Sequence, residues 1–128
     1  MDKQADGGGA STGYAPIPLR THARVDIAVL SFVLVSLWLL GYSQHGGATT
    51  MAVLCFVFGM GLNLATDYPV GLVRMLPMTF HRFMELTSPP ITLGVPWMFF
   101  ADAGAFPWVM TAAGIAVVAN AALTRPAG

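Results

Sequence analysis

The sequence repeats a set of polar and aromatic residues after 59 positions, and this duplication constrains the fold more than any other feature. Each copy has a proline, a histidine, an acidic residue and a tryptophan, spaced P-x3-H-x3-[DE]-x11-W. The matching pairs are Pro18 and Pro77, His22 and His81, Asp26 and Glu85, and Trp38 and Trp97. A duplicated half predicts two similar structural units, with their histidines and acids related by a pseudo-two-fold arrangement.

The composition places most of this chain in lipid. Of its 128 residues, 55% are hydrophobic and only 9% are charged, whereas soluble domains carry about 25% charged residues. The net charge is zero, with no basic stripe, so we expect no nucleic-acid partner. The Gly-rich residues 1–19 are predicted to form a flexible cytoplasmic tail.

Four apolar stretches follow this tail, at 25–42, 51–65, 85–101 and 106–123. A hydrocarbon core of about 30 Å requires about 20 helical residues. The first and fourth stretches meet this length, and the second does so when residues 48–50 and 66 join it. Pro89 and Pro90 interrupt the third stretch, but alignment with the first copy moves its start back to residues 79–81, which predicts a helix bent at the prolines.

The predicted fold is therefore all-α, with four transmembrane helices as two tandem helix hairpins and a Pro-kinked third helix. Repeat 1 would occupy residues 20–69 and repeat 2 residues 70–128. Basic residues agree with this topology, because residues 43–50 and 102–105, the two short connections, lack lysine and arginine. All six basic residues fall on the other side: Lys3, Arg20, Arg24, Arg74, Arg82 and Arg125. The positive-inside rule then places both termini in the cytoplasm.

Small residues recur along the second and fourth predicted helices, for example Gly61 and Ala65, and Ala112, Ala116 and Ala119. Such positions allow transmembrane helices to approach closely. We expect these faces to pack inside the bundle, or against a second copy or another membrane protein within the lipid bilayer.

Most polar residues of the helices are predicted to lie at one depth, near the cytoplasmic boundary. Each histidine precedes its acid by four residues, so the two share a helix face. The candidate site comprises His22, Asp26, His81 and Glu85. The accompanying polar cluster comprises Asn63, Asp67 and Asn120.

Three interpretations of these residues remain open. The first is a structural or interaction protein, in which the His–acid pairs only anchor helices at the interface. The second is a metal-binding module, or a path for protons or small solutes, built from His22, Asp26, His81 and Glu85. The third is a redox subunit with haem between His22 and His81. Nucleophile–base patterns are lacking, so the sequence predicts no catalytic residues and no enzyme activity, and the first interpretation requires no cofactor.

The connection between the two halves resembles a known family. Residues 66–77 read TDYPVGLVRMLP, similar to the T-D-Y-x-x-G-L-V-R-x-x-P connection of small bacterial membrane proteins with SPW repeats. Partial forms of the name-giving triplet occur as Ser36-Leu37-Trp38 and Val95-Pro96-Trp97. The resemblance covers residues 18–126. It implies a four-helix inner-membrane protein of two hairpin repeats, and it implies no biochemical activity.

Overall fold

The computed structural model describes residues 16–69 and 71–125. Within these ranges the regular structure is helical apart from two isolated β-bridges, which confirms the all-α prediction. The elements are α1 (Leu19–Leu39), α2 (Gly46–Ala65), α3 (Met78–Leu86), a π-helical turn (Pro90–Gly94), α4 (Val95–Phe99) and α5 (Phe106–Leu123). Of the predicted tail, residues 1–15 lie outside the described residues. Residue 17 forms a bridge with Thr124, and Leu19 begins α1.

Local sequence explains where the long helices begin and end. Pro18 has the extended backbone of an N-cap residue, so the helical pattern starts directly after it. Gly41 adopts a positive φ of 78° just beyond α1, a conformation that glycine adopts without steric cost. The imidazole of His45 accepts a hydrogen bond from Ala48 N–H and caps α2. Pro107 occupies the first turn of α5, where its missing N–H costs no hydrogen bond.

Among the described residues, three helices are long and apolar enough to cross a membrane: α1, α2 and α5. Many of their large apolar side chains are exposed, including Leu54, Phe58 and Trp108. In water this surface would be unfavourable, whereas in a bilayer it faces hydrocarbon. The membrane character predicted from composition is thus supported by the helices themselves.

The other helices pack around a central pair, α1 and α5. α1 packs against both α2 and α5, while α3, the π-helical turn and α4 pack against α5. Packing between α2 and the α3–α4 segment is sparse, and a cleft separates them. An apolar core with Leu37, Phe106 and Met110 at its centre joins the ends of α1 and α5 that lie away from the predicted site.

Only part of the small-residue pattern serves packing within this chain. Ala112, Ala119 and Gly61 are exposed, whereas Gly114 is buried on α5. A Cβ atom at Gly114 would lie 2.7 Å from Oγ1 of Thr92, so the close approach of α5 to the π-helical turn requires glycine.

Backbone pairing joins the start of each half to the end of the other half. Ile17 N–H donates to Leu123 O at 3.0 Å, and Leu76 N–H donates to Ala65 O at 2.8 Å. The resulting bridges, Ile17 with Thr124 and Thr66 with Leu76, lie at the end of the bundle where α1 and α3 begin. At the opposite end, the His45 imidazole lies 3.1 Å from the Asp102 carboxylate, so both hairpin connections meet there.

Candidate functional site

The structure brings together the four residues of the candidate site. His22 and Asp26 lie one turn apart on α1, and His81 and Glu85 lie one turn apart on α3. All four are buried, with at most 6% of any residue exposed. One nitrogen or oxygen atom from each lies within 4.8 Å of the others. The two predicted pairs therefore form one centre shared by both halves, here called the His–carboxylate cluster.

In this cluster each imidazole faces both carboxylates. His22 Nε2 lies 3.1 Å from Asp26 Oδ2 and 3.1 Å from Glu85 Oε2. His81 Nε2 lies 3.1 Å from Asp26 Oδ2 and 3.3 Å from Glu85 Oε1. Nitrogen and oxygen atoms thus alternate around a small central space. Contacts between the halves are as short as those within each helix.

Two threonine hydroxyls fix how the imidazoles are protonated. The His81 Nδ1 atom lies 2.8 Å from Thr66 Oγ1, and this hydroxyl donates its proton to the Leu62 carbonyl at 2.6 Å. His22 Nδ1 lies 2.7 Å from Thr124 Oγ1, which donates to the Asn120 carbonyl. A hydroxyl has one proton, so each must accept a hydrogen bond from Nδ1–H. In a neutral imidazole, Nε2 is then a bare acceptor aimed at the carboxylates.

The cluster consequently needs positive charge at its centre. Two bare imidazole nitrogens and two carboxylates are all acceptors, and burying them face to face without a cation or protons is unfavourable. One solution is a second proton on each imidazole, as the hydrogen bond from His81 to Asp26 requires. The other is a divalent cation among the four groups. Both solutions make the cluster electrically neutral, as a buried site demands.

The nitrogen–oxygen distances of the cluster suit neighbouring ligands of a small cation. Zinc binds histidine nitrogen and carboxylate oxygen at about 2.0 Å, which places neighbouring tetrahedral ligands about 3.3 Å apart. The four nitrogen–oxygen distances in the cluster are 3.1, 3.1, 3.1 and 3.3 Å. His22 Nε2 and Glu85 Oε2, although close, have no aligned hydrogen-bond partner among the described residues. These two buried atoms are therefore available to a metal ion.

Asn120 and Tyr68 surround the cluster. Asn120 Nδ2 on α5 donates to Asp26 Oδ1 at 2.9 Å and to the His22 carbonyl at 3.0 Å, so α5 holds α1 at this point. The Tyr68 ring, in the connection after α2, lies 5.2 Å from the ring of His81 and 6.2 Å from that of His22. Burial, with the carboxylates nearby, raises the pKa of the Tyr68 phenol, which keeps it neutral beside the cluster.

The other predicted polar residues lie apart from the four groups. Asn63 is buried, and its Nδ2 donates to the Gly59 carbonyl on its own helix at 2.9 Å. Asp67 is exposed, and its backbone N–H donates to Leu76 O. Of the predicted polar cluster, Asn120 alone is hydrogen-bonded to one of the four cluster residues among the described contacts.

Sequence reasoning missed Thr66, Thr124 and Tyr68. The two threonines follow the last residues of α2 and α5, but they are separated by 58 positions and not by the 59 of the repeat. A one-residue gap in the alignment of the halves would have identified them as a matching pair.

No family model, curated protein or solved structure matches this chain. Function must therefore be inferred from the geometry of the His–carboxylate cluster. That geometry disfavours haem, because the Asp26 and Glu85 carboxylates occupy the space between the imidazoles where a porphyrin would have to lie.

Proposed function

We propose that this chain is a small, non-enzymatic integral membrane protein that binds a divalent transition metal between His22, Asp26, His81 and Glu85. One observation carries the proposal: the Thr66 and Thr124 hydroxyls direct both Nε2 atoms, as acceptors, toward two carboxylates. Hydrogen bonds of this kind to the outer nitrogen orient metal-bound histidines in proteins. Two imidazole nitrogens and two carboxylate oxygens as ligands favour zinc over calcium or magnesium.

Binding is favoured over transport by where the ionisable groups lie. The buried His, Asp and Glu residues among the described residues are the four of the cluster, all at one depth. A path for protons or solutes across the bilayer would need further polar groups along it. The proposed metal would therefore remain bound and fasten the two halves together.

We further propose that the chain crosses the membrane four times, with the third span bent at Pro89 and Pro90. Residues 78–99 are mostly helical and would cover about 30 Å at about 1.5 Å per residue, enough for the hydrocarbon core. The bridges at one end of the bundle and the His45–Asp102 pair at the other support this path. The arginines at 20, 24, 74, 82 and 125 belong to the bridged end, which supports cytoplasmic termini. The resemblance to SPW-repeat proteins implies that the membrane is a bacterial inner membrane.

Membership of the SPW-repeat family is proposed on the connector sequence of residues 66–77. The paired backbone hydrogen bonds support an internal duplication, because Ile17 and Leu76, like the two histidines, are separated by 59 positions. Each carries its β-bridge directly before the proline that starts a repeat.

The structural interpretation is the second candidate, and the aligned hydrogen bond from His81 Nε2 to Asp26 at 3.1 Å favours it. In that case both imidazoles would be protonated and the cluster would be a buried double ion pair that ties α1 to α3. Such an anchor would bind no metal, so metal content separates the two candidates.

The test is elemental analysis of protein purified in mild detergent and reconstituted with zinc. The variants are His22→Gln, His81→Gln and their double, with His45→Gln as control because His45 lies at the opposite end of the bundle. We expect about one zinc per chain in the unmodified protein and the control, and background zinc in each cluster variant. The reason is that removal of either histidine leaves three of the four protein ligands that a structural zinc site needs. Background zinc in all samples would contradict metal binding and leave the double ion pair. Iron with absorbance in the Soret region would instead indicate haem.

A further inference from the structure

A cleft of about 900 Å³ separates α2 from the α3–α4 segment. It extends along α2 from Gly47 to Asn63, about 24 Å at about 1.5 Å per residue. Side chains at its rim are exposed, among them Leu54, Phe58 and Ile91, so in a membrane it would open sideways to lipid. Its volume lies within the range of about 300–1,000 Å³ typical of small-molecule sites.

The walls of the cleft are apolar. Leu30 of α1 forms its floor with Met51, Leu54 and Phe58 of α2 on one side, while Ile91 and Val95 line the other side. Such a surface suits a hydrocarbon chain, with the Thr50 and Thr92 side chains as further members of the lining.

The end of the cleft beside the His–carboxylate cluster, here called its inner end, is polar. The polar groups free to bind a ligand there are hydrogen-bond acceptors. Asn63 Oδ1 and Glu85 Oε2 are buried there without a hydrogen-bond partner among the described residues. The Thr87 and Ser88 hydroxyls donate to the carbonyls of Phe83 and Glu85, which leaves their oxygen lone pairs as acceptors. The His–carboxylate cluster supplies Glu85 Oε2 with a proton or a metal ion, whereas Asn63 Oδ1 remains a buried acceptor without a donor, which is unfavourable.

We infer that the cleft binds a single-chain amphiphile from the bilayer, with a hydrogen-bond-donating head group at Asn63 and its hydrocarbon chain along α2. A long-chain amine or alcohol has this chemistry, whereas the carboxylate of a fatty acid has only acceptors and no proton to donate to Asn63 Oδ1. A metal in the His–carboxylate cluster would occupy Glu85 but not Asn63 Oδ1. The inference therefore goes beyond the proposed metal site and does not depend on it.

Cys55 provides a reporter, because it lines the cleft and is the only cysteine of the chain. The rate at which N-ethylmaleimide alkylates Cys55 is measured with the full chain in phosphatidylcholine nanodiscs. The nanodiscs contain no added amphiphile, or an equal mole fraction of hexadecylamine, hexadecanol or palmitic acid. Occupancy of about 90% would slow the reaction about tenfold. We expect this protection from the amine and the alcohol, and none from palmitate.

Two substitutions on α2 test whether the protection comes from the cleft. Leu54→Trp places a larger side chain in the cleft, whereas Val57→Trp is the matched control outside it; Leu54 is 62% exposed and Val57 61%. The ratio of rates with and without amine is compared within each variant, which cancels differences in the intrinsic reactivity of Cys55. Protection should be lost in Leu54→Trp and kept in Val57→Trp. Asn63→Leu should reduce protection by the amine and alcohol to that of palmitate.

Three results would overturn the inference. The first is unchanged alkylation with every amphiphile. The second is equal protection by palmitate, which would indicate non-selective filling by lipid chains. The third is Cys55–Cys55 cross-linking by a short bis-maleimide without protection by the amine, which would indicate that a second copy covers the cleft. Repeating the assay after chelation separates it from the metal proposal, since protection should persist without zinc and Leu54→Trp should retain zinc.

Discussion

The rings of His22 and His81 pack edge to face, with centroids 5.5 Å apart and ring planes at 66°, although the residues lie 59 positions apart in the sequence. Both Nε2 atoms approach the same two carboxylates, one from each half of the chain. The centre therefore exists only when α1 and α3 are correctly placed. Whatever occupies it, a metal ion or two protons, stabilises the contact between the halves.

Removal of either threonine hydroxyl should weaken zinc binding. Thr66→Val and Thr124→Val keep the side-chain shape but lose the acceptor for the histidine Nδ1–H. Loss of such an outer partner lowers metal affinity about 10–100-fold. Competition titration against a chelator of known affinity measures the change. Thr49→Val is the control, because its hydroxyl donates to the Ser43 carbonyl at the other end of the bundle; an equal loss in that variant would count against the specific role.

Zinc should raise the thermal stability of the protein in detergent. A ligand at 100 times its dissociation constant stabilises the folded state by about 2.7 kcal/mol. The midpoint of unfolding should therefore rise with zinc and fall again with chelator. Glu85→Gln preserves the size of the side chain but removes a charged ligand of the cluster, so its midpoint should not respond to zinc. An equal response in this variant would place the zinc elsewhere.

The sequence predicted which residues share a helix face better than it predicted which residues of the two halves form hydrogen bonds with each other. Spacing of four residues correctly placed His22 with Asp26 and His81 with Glu85 on single helix faces. The aligned hydrogen bond nevertheless joins His81 to Asp26 of the other half, because the way α1 and α3 meet is set by tertiary packing and not by local periodicity.

Helix prediction had a similar limit. Residues 106–123 were predicted from apolar length, and α5 has these bounds. Between residues 78 and 99 the chain forms α3, a π-helical turn and α4 in place of one continuous helix, and apolar length and periodicity do not predict a π-helical turn. The roles of Thr66 and Thr124 were also hidden, since helix-terminal threonines commonly serve as caps and turns.

Loss of the Asn120 side chain should destabilise the bundle. Asn120→Leu removes the donor to Asp26 Oδ1 and to the His22 carbonyl and leaves a buried carboxylate oxygen without this partner. We expect a decrease of about 1–3 kcal/mol in the free energy of unfolding. Asn63→Leu, which loses one bond to its own helix, should cost less, below about 1 kcal/mol. Denaturation followed by circular dichroism tests this order, and a larger effect at Asn63 would contradict it.

Reporter fusions should place both hairpin connections outside the cytoplasm. A reporter active only in the periplasm should function after Gly46 or Ala103 and stay inactive after Gly71 or Arg125, because the four-span proposal puts the first pair opposite the arginine-bearing end. Cytoplasmic activity at Ala103 with periplasmic activity at Gly46 would instead indicate that residues 78–99 do not cross the membrane.

Gly71→Ala should disturb the cluster although Gly71 is not one of its four residues. A Cβ atom at this position would clash with the backbone oxygen of Thr66, so the connection after α2 must shift. Thr66 would move with it and lose its position beside His81 Nδ1. We expect a lower unfolding midpoint and weaker zinc binding, measured as for the threonine variants. Gly61→Ala is the matched control, because a Cβ there meets no atom within 4 Å, and replacing glycine within α2 should be neutral or slightly stabilising. If Gly71→Ala bound zinc as the control does, the placement of Thr66 by this connection would not govern the site.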